Sequence, residues 1–311
     1  MTTPEQWVEV HRLAVAGREP VIARAVGGPL GRLWLRISRF ADVAALARET
    51  LTLGPDATAL YHLGWAQSAT GQPWEALASY DQSLNLHRGA GDRRSEATTL
   101  NNIGLVHNNL GDQQQALTYH QQALTIQREV ADREGQAATL NNIGGAYNEL
   151  GDRQLALTYY QQALTIQREV GDRAGEGTSL NNIGNAYSHL DDRQQALTYY
   201  QQALSIRREV GDRAGEAITL NNIAAMRFQQ DDIAGAKDAF DEVLEILRIV
   251  GNRASEALVS FNMGFLLSKM ARMDDAAVYM RRAITLAEET GHPALDRMRA
   301  FLDELEQTTK G

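Results

Sequence analysis

Residues 91–130 read GDRRSEATTLNNIGLVHNNLGDQQQALTYHQQALTIQREV, and the chain then repeats this stretch. The motif LNNIG recurs with a period of 40 residues, at Leu100, Leu140 and Leu180, and then as LNNIA at Leu220. The second half of the unit has the same period, with QQALTIQREV at Gln121 and Gln161 and QQALSIRREV at Gln201. A fixed period of this length is typical of a solenoid, in which each unit buries its apolar face only against its neighbours.

Each unit carries the signals of two helices. Asp92 can cap the first helix, and apolar or small residues recur at three- and four-residue steps from Ala97 to His107. Gly111 fits a left-handed helix end, and Asp112 with Gln115 fits a capping box at the second helix. Glycine also closes most copies, at Gly171, Gly211 and Gly251. The pattern predicts two antiparallel helices of about 17 residues per unit and no β-strand.

The two ends of the chain depart from the repeat. Thr3, Pro4 and Gln6 form a helix-start signal, and a short helix opening at Pro20 is expected to stop at Gly27-Gly28-Pro29. A degenerate helix pair is expected over residues 30–53, and a helix that is apolar on one side only follows Gly291. We therefore predict capping helices and a degenerate repeat over 1–56, six repeats over 57–290, and a capping helix with a tail over 291–311.

The repeated unit resembles the tetratricopeptide repeat. That family places a small residue shortly before a Tyr-like residue in its first helix, followed by an Ala, aromatic and Ala series in its second helix. The matching residues here are Gly144, Tyr147, Ala156, Tyr160 and Ala163, and their equivalents are Gly184, Tyr187, Ala196, Tyr200 and Ala203. The resemblance implies an all-α fold, a right-handed superhelical α-solenoid of stacked antiparallel helix pairs.

The unit is longer than the usual repeat of about 34 residues. In this respect it resembles the repeats of kinesin light chains, of animal spindle-orientation adaptors, and of arrays attached to bacterial signalling proteins. The resemblance implies that the first helix of each unit lines a concave groove, and that this groove binds an extended segment of a protein or peptide partner.

Asparagines recur on the helix that the resemblance assigns to the groove. A carboxamide offers both a donor and an acceptor, so a row of them can pair with peptide groups without reading side chains. The predicted ladder consists of His62, Asn102, Asn142, Asn182, Asn222 and Asn262. A neighbouring column consists of Asn101, Asn141, Asn181 and Asn221. Hydrogen bonding between repeats and simple solvation remain alternative interpretations of both columns.

Hydrogen bonds alone are too weak for capture. Five neutral hydrogen bonds contribute about 5 kcal/mol, and association costs several kcal/mol, so apolar anchors are needed as well. The candidate anchors are Trp65, Leu105, Asn185, Phe228 and Phe265. Trp65 fits a core position equally well. The positions that carry cations in carboxylate-clamping members of the resembling family are Thr98, Ala138, Thr178 and Ile218 here, which argues against that mode of binding.

Composition and motifs argue against several other functions. The formal charge of −9 is atypical of a nucleic-acid-binding protein, and no apolar run approaches the roughly 20 residues that span a bilayer. Cysteine is absent, and the first residues lack a secretory signal pattern, so a cytoplasmic location is expected. No phosphate-binding loop, HExxH or GxSxG motif is present, so no enzyme activity, metal or cofactor is predicted.

Two further patterns receive structural interpretations. His107 and His120 stand where later copies have tyrosine, which predicts that they fill aromatic positions in the core. The repeated turns Asp132-Arg133, Asp172-Arg173 and Asp212-Arg213 predict a capping aspartate followed by a solvated arginine.

The favoured prediction is a non-catalytic protein-protein interaction scaffold that binds a peptide in its groove. One alternative is a regulatory sensor, in which a small signalling ligand or peptide changes the curvature of the solenoid to control a partner. A second alternative is a structural or self-assembling spacer. The oligomeric state is left open, with a monomer favoured.

Overall fold

A computed structural model describes residues 3–308 of the chain. Within that range the fold is all-α, with sixteen helices and no strand, which confirms the predicted fold class. The helices are α1 (Pro4–Ala16), α2 (Pro20–Arg36), α3 (Phe40–Leu51), α4 (Ala57–Ala69), α5 (Pro73–Ala90), α6 (Arg93–Asn109), α7 (Gln113–Glu129), α8 (Arg133–Glu149), α9 (Arg153–Val170), α10 (Arg173–His189), α11 (Arg193–Val210), α12 (Arg213–Gln229), α13 (Ile233–Val250), α14 (Arg253–Lys269), α15 (Met273–Thr290) and α16 (Leu295–Thr308). Residues 1 and 2, and residues 309–311 of the predicted capping helix and tail, lie outside the described residues.

The chain divides into two compact units, Met1–Ile166 and Gln167–Gly311. In the first unit α4 packs on α5, α6 on α7, and α8 against α7. In the second unit the pairs are α10 with α11, α12 with α13 and α14 with α15, and α16 packs on α15. We call α4, α6, α8, α10, α12 and α14 the first helices of the repeats, and the helix that follows each of them its second helix.

In five of the six repeats, a glycine of the first helix lies against a large side chain of the second helix; in α12 alanine, Ala224, stands at this position. A Cβ atom on Gly144 would lie 2.6 Å from the ring of Tyr160, a separation that real Cβ atoms essentially never show. The equivalent pairs are Gly64 with Tyr80, Gly104 with His120, Gly184 with Tyr200, and Gly264 with Met280. The glycine is therefore required because a large side chain of the second helix lies directly against its backbone.

The histidines behave as the sequence predicted. His120 is fully buried in the aromatic position against Gly104, and burial lowers its pKa to about 4. His107 stacks on Tyr119 at a centroid distance of 5.3 Å, as Tyr147 stacks on Tyr159 at 5.4 Å. Both histidines thus replace tyrosine in packing.

The N-terminal helix pair differs from its prediction. The expected stop at Gly27-Gly28-Pro29 is wrong, because α2 runs without interruption from Pro20 to Arg36. Its glycines permit close packing instead: a Cβ on Gly31 would lie 2.5 Å from the His62 ring, and one on Gly27 would lie 3.3 Å from His11 and Thr50. The capping box at Thr3 is confirmed, since its hydroxyl accepts from the Gln6 amide and Gln6 accepts from the Thr3 amide.

Left-handed residues end the helices where glycine was predicted. Gly111, Gly171, Gly211 and Gly251 have φ angles of 80°, 74°, 71° and 70°. Ala131 adopts the same conformation, with φ of 53°, at the position that glycine holds in the later repeats. A left-handed conformation costs an alanine roughly 1–2 kcal/mol, so this turn is less stable than its equivalents.

Ala131→Gly should therefore stabilise the protein by about 0.5–1 kcal/mol, because glycine removes the steric cost of the turn and loses some backbone entropy in return. Urea unfolding followed by circular dichroism measures the change. Gly171→Ala is the matched reverse variant and should destabilise by a similar amount. A lower unfolding midpoint for Ala131→Gly would contradict this explanation.

A buried glutamate near the start of the first helix ties neighbouring helices together. Glu216 is 2% exposed and accepts hydrogen bonds from Arg208 Nε at 2.7 Å and Arg213 Nη1 at 2.9 Å. Equivalent buried glutamates are Glu96, Glu176 and Glu256, each paired with two arginines. For the Asp-Arg turns, the predicted cap is confirmed, because Asp212 accepts from the Gly215 amide at the start of α12. The predicted solvated arginine is wrong at Arg213, which forms an ion pair with Glu216.

The charge state of Glu216 should make stability depend on pH. Burial alone would raise the pKa of its carboxyl group, but the hydrogen bonds from Arg208 and Arg213 outweigh burial and lower that pKa. A lowered pKa in the folded state stabilises the protein above the ordinary value of 4.5, and this contribution is lost as the pH falls through the folded-state pKa.

Glu216→Gln should reduce the free energy of unfolding at pH 7 by about 1–2 kcal/mol, allowing for the exposure of both arginines. The difference from wild type should shrink as the pH falls below about 4, where the wild-type carboxyl group is protonated too. Urea unfolding across this pH range measures it, with the exposed Glu245→Gln as control. A difference that does not change with pH would count against the ion-pair explanation.

Candidate functional site

Side-chain hydrogen bonds join successive first helices in the first unit. Asn102 on α6 donates from Nδ2 to Tyr61 Oη on α4 at 2.6 Å. Asn142 on α8 donates from Nδ2 to Asn101 Oδ1 on α6 at 3.1 Å. We call this contact the asparagine joint. In it, an asparagine donates to the side chain of the residue 41 positions earlier, which lies on the first helix of the preceding repeat.

The oxygen of Asn101 is the centre of a small buried network. Besides Asn142 it accepts hydrogen bonds from Thr139 Oγ1 at 3.1 Å and from His120 Nδ1 at 2.9 Å. Because this oxygen can only accept, Nδ1 must carry the proton of the neutral His120 ring. The ring Nε2 then accepts from Asn108 Nδ2 at 3.3 Å. A single carboxamide thus links α6, α7 and α8.

The second unit repeats the joint. Asn222 on α12 donates to Asn181 Oδ1 at 3.3 Å and to Asn185 Oδ1 at 3.2 Å, both on α10. Thr219 Oγ1 donates to the same Asn181 oxygen at 3.1 Å. Tyr200, the ring packed against Gly184, donates its hydroxyl proton to Asn185 Oδ1 at 2.6 Å.

The predicted ladder residues therefore have a structural role as well as a partly accessible surface. Asn102, Asn142 and Asn222 are half-buried, and each uses an amide N–H in a joint. Among the described residues, their Oδ1 atoms have no hydrogen-bond donor. Half-buried side chains at the other predicted positions are Asn101, Asn141, Asn182, Asn221 and Asn262. Hydrogen bonding between repeats was one of the open interpretations. It accounts for the amide N–H groups of these asparagines but not for their side-chain oxygens.

Two residues of the predicted surface are not accessible. His62 and Asn181 are both 4% exposed. His62 is enclosed because Gly31 of α2 packs onto its ring, and Asn181 because it accepts from Thr219 and Asn222. Because they are buried, these two residues are not among the proposed contact residues.

The candidate anchors differ between the two units. Trp65 is 41% exposed and lies edge-on to Tyr61 at 6.1 Å, while Leu105 is half-buried. In the second unit Phe228 packs against Phe265 at 6.0 Å, and Phe265 against Phe301 of α16 at 5.6 Å. Asn185 is half-buried within the joint. Trp65 is thus the accessible aromatic anchor, whereas Phe228 and Phe265 are largely occupied by internal packing.

Two pockets open at equivalent positions of the repeat. In the first unit a cavity of about 280 Å³ is lined by Arg32, Thr58, Tyr61, His62, Trp65, His87, Ser95 and Thr98. In the second unit a cavity of about 220 Å³ is lined by Ala214, Ala217, Ile218, Asn221, Val243, Leu247, Val250, Asn252, Ser255, Leu258 and Val259. Five positions correspond across four periods of the repeat: 58 with 218, 61 with 221, 87 with 247, 95 with 255, and 98 with 258. We call them the Trp65 pocket and the Ile218 pocket.

One side chain of the second helix decides whether this space is open. The repeat equivalents of His87 and Leu247 include Gln127 and Arg207, which are buried and reach over a glycine of the next first helix. A Cβ on Gly135 would lie 3.0 Å from Gln127 Nε2, and one on Gly215 would lie 2.8 Å from Arg207. Both pockets instead have serine at the glycine position, Ser95 and Ser255, and lack the long side chain.

Some of these residues escaped prediction from the sequence. The hydroxyl column Thr99, Thr139, Ser179 and Thr219 is buried throughout, and its 40-residue period was available as a signal. Arg32 lies in the degenerate N-terminal pair, where the repeat gives no register that would connect it with Trp65.

The described residues contain neither a metal-binding group nor a membrane-spanning helix. Over residues 3–308, His, Asp and Glu side chains form no group that could hold a metal ion. Over the same residues no helix has the length and apolar character needed to cross a membrane.

The chain belongs to the tetratricopeptide repeat family. The family model matches residues 75–129, 95–169, 135–209 and 215–289, which together cover well over half of the chain. Repeats of this family are typically non-catalytic interaction modules, so the chain is a protein-interaction scaffold. No curated protein matches it in sequence. The more specific resemblance to kinesin light chains and spindle-orientation adaptors stays a prediction.

Three solved structures illustrate the similarity of fold. A signal transduction ATPase with numerous domains and a tetratricopeptide repeat sensor, from Pyrococcus horikoshii, aligns with a TM-score of 0.76 at 16% identity over 99% of this chain and 47% of its own. BtubC (BKLC) from P. vanneervenii aligns at 0.62 and 19% identity over 70% of this chain and 92% of its own. A Rap protein complexed with competence and sporulation factor aligns at 0.63 and 12% identity over 98% and 99%.

The two members of an asparagine joint should contribute unequally to the free energy of unfolding. Asn101→Ala should destabilise by about 2–3 kcal/mol, because the donors Thr139 and His120 are buried and would lose their acceptor. Asn142→Ala should cost only about 1 kcal/mol, since it removes one donor and leaves the other two bonds in place. Urea unfolding of the full chain measures both, with the exposed Asn109→Ala as control. Equal effects at Asn101 and Asn109 would refute the proposed role of the network.

Proposed function

We propose that the first-helix face of the first unit captures an extended segment of a protein partner without catalysing a reaction. The observation that carries this proposal is Trp65, a large aromatic side chain that is 41% exposed at the mouth of a pocket. Exposed aromatic side chains next to pockets are the usual centres of binding energy in protein interfaces. Asn102 and Asn142 lie on the next two first helices and supply acceptor oxygens.

The joints favour binding because they hold the carboxamides in place before the ligand arrives. Each amide already donates one hydrogen bond, so its side-chain rotation is restricted and less entropy is lost on binding. The free oxygen can then accept a backbone N–H of the ligand, while the second amide hydrogen can donate to a backbone carbonyl. In the second unit Asn222 donates to both Asn181 and Asn185, so only its oxygen remains for a ligand.

The expected binding energies give the asparagines and the aromatic anchor Trp65 different roles. Two neutral hydrogen bonds contribute about 2 kcal/mol, which fixes the direction of the ligand but does not hold it. Burial of an aromatic anchor in a pocket contributes about 2 kcal/mol or more by itself. Trp65 should therefore dominate affinity, and the asparagines should set the register of the bound segment.

The comparisons are consistent with this proposal without specifying a partner. The Rap structure, which shares the fold over nearly the whole chain, is a complex with competence and sporulation factor. Its identity to this chain is 12%, so only the fold is transferred. The sequence predicts a protein or peptide partner without naming it, and a cytoplasmic setting for the interaction remains a prediction from the sequence.

Trp65→Ala should lower the affinity for captured peptides at least tenfold, and Asn142→Ala should lower it about fivefold. Peptides selected on the wild-type chain from a phage-displayed library of randomised 12-residue sequences provide the ligands. Fluorescence anisotropy measures their affinity for each variant. Trp74→Ala is the matched control, because Trp74 is 68% exposed but lies on the second helix α5. Failure to select any peptide, or equal binding by Trp65→Ala and wild type, would refute the proposal.

A regulatory sensor is the second candidate function. The Pyrococcus horikoshii protein carries a tetratricopeptide repeat sensor, and it aligns with 99% of this chain although it is about twice as long. A sensor predicts that ligand binding changes the dimensions of the chain. Small-angle scattering with and without a selected peptide distinguishes the two functions, since a simple scaffold keeps its radius of gyration.

A further inference from the structure

An open apolar slot lies between α1 and α2. Its volume is about 240 Å³, and every residue that lines it is apolar: Pro4 and Trp7 from α1, and Ala25, Val26, Pro29, Leu30 and Leu33 from α2. The two rims of the slot are exposed, since Trp7 is 42% and Leu33 is 43% exposed. None of these residues lines the Trp65 pocket, so the slot is separate from the proposed peptide site.

The slot has the position of a first helix that no described residue supplies. α2 packs on both α3 and α4, as α4 packs on both α5 and α6, so α2 corresponds to a first helix and α1 to the second helix of a preceding repeat. Alignment of Gly31 with Gly64 places Leu33 at the position of Ala66. Ala66 is 1% exposed, because it packs in one cluster with Leu30 and Trp34 of the preceding helix pair. Leu33 is open because no described helix covers it in this way.

Exposed apolar side chains are concentrated at this end of the first unit. Twenty large apolar side chains are exposed among the described residues, and eight of them lie before residue 38: Trp7, Val8, Val10, Leu13, Val21, Ile22, Leu33 and Ile37. The end helix of a solenoid needs a polar outer side to remain soluble by itself. α1 lacks such a side, which indicates that another apolar surface covers it.

The C-terminal helix shows what a closed end looks like. The exposed residues of α16 include Asp296, Arg297, Arg299 and Asp303, and no large apolar side chain beyond Val278 is exposed among the described residues. Packing of α16 from another copy into the slot would bury these charges against apolar side chains, which is costly. A head-to-tail contact between copies is therefore disfavoured.

A second copy of the same N-terminal helix pair fits better. It brings a matching apolar face, and the charges along α1 are complementary to themselves. Glu5 and Glu9 lie in the first half of α1, and Arg12 lies in the second half. When two α1 helices pack antiparallel about a two-fold axis, the acidic half of each helix lies against the basic half of the other. Parallel packing would instead oppose like charges.

We propose that two copies of the chain associate through α1 and α2, with the rims Trp7 and Leu33 of each copy packed against the slot of the other. This inference goes beyond the proposed function, because it adds a partner at a separate surface. A two-fold contact is closed, so it produces a dimer and not a filament. Each dimer carries two peptide sites, which increases the apparent affinity for a partner that presents two segments.

The size of the face indicates a weak dimer. Helices of 13 and 17 residues are about 20 and 25 Å long, and two helices side by side are about 20 Å wide. Their common face therefore measures roughly 400–500 Å², which is less than the roughly 800 Å² per partner of a standard interface. We expect monomers at low concentration and dimers at high concentration.

Sedimentation equilibrium of the full chain at loading concentrations from about 5 to about 500 µM tests the inference. The average mass of the wild-type chain should rise from that of a monomer towards that of a dimer. Trp7→Asp and Leu33→Asp each place a carboxylate on a rim and should weaken association at least about tenfold. Val278→Asp is the matched control, because Val278 is 60% exposed but lies on α15 of the second unit. Circular dichroism establishes that each variant keeps its helical content.

A charge exchange tests the antiparallel arrangement. Glu5→Arg and Arg12→Glu should each weaken self-association by about threefold to fivefold, because each variant opposes like charges across the two-fold axis. An equimolar mixture of the two variants should form a mixed dimer about as stable as the wild-type dimer. A mixture that associates no better than either variant alone would refute the antiparallel pairing.

A wild-type chain that stays monomeric at every concentration would overturn the inference, and the slot would then be left for a helix of a different protein. A dimer that survives in both Trp7→Asp and Leu33→Asp would overturn it as well, because another surface would then join the copies. Trp7→Asp should still bind selected peptides with wild-type affinity, so failure of the dimer and failure of the proposed function are distinguishable.

Discussion

The contact between a glycine of the first helix and a large side chain of the second helix fixes the geometry of five of the six described repeats. At Gly144 and Gly184 the rings of Tyr160 and Tyr200 occupy the space that a Cβ would need, so the paired helices lie closer there than two ordinary helices could. Helical periodicity then determines the rest: the neighbouring Ile143 and Ile183 point into the core, and Asn142, just before Ile143, donates to Asn101 of the preceding repeat.

The asparagines that join repeats also keep a side-chain oxygen that accepts from no described donor. One amide hydrogen of Asn142 joins Asn101, and one of Asn222 joins Asn181, so the carboxamides are fixed before anything binds. The joint changes at both ends of the series. Tyr61 is the acceptor at the first joint, and at the last helices Phe261 packs against Phe301 in place of a hydrogen bond. Accessible hydrogen-bonding groups are therefore concentrated in the inner repeats, and the exposed anchor Trp65 lies beyond them on α4.

Most of the fold could be predicted from the sequence because the 40-residue period repeats every helix signal. The caps at Asp92, Asp112 and Asp172 and the left-handed glycines follow local rules of helix ends, which need no knowledge of the tertiary structure. Local rules failed at Gly27-Gly28-Pro29, where α2 continues and Gly27 packs against His11 and Thr50. A single sequence does not distinguish a glycine that ends a helix from one that admits a neighbouring side chain.

The candidate site was less predictable, because its properties arise between repeats. The sequence indicated a polar column and an anchor at Trp65, but not that Asn101 accepts three hydrogen bonds or that His62 is enclosed. Whether a pocket is open depends on a pair of positions, 87 with 95 and their equivalents, that lie on different helices. Arg32 reaches the Trp65 pocket from α2, outside the regular repeat, and only coordinates bring it into the site.

The central claim, that ligands are held on the first-helix face at Trp65, is tested most directly by nuclear magnetic resonance of the indole N–H groups. The chain has four tryptophans, Trp7, Trp34, Trp65 and Trp74, so a deuterated ¹⁵N-labelled sample gives few signals, each assignable with a single Trp→Phe variant. On titration with a selected peptide, the Trp65 signal should shift while those of Trp34 and Trp74 stay unchanged. Saturable binding that shifts Trp74 and leaves the Trp65 signal in place would contradict the account.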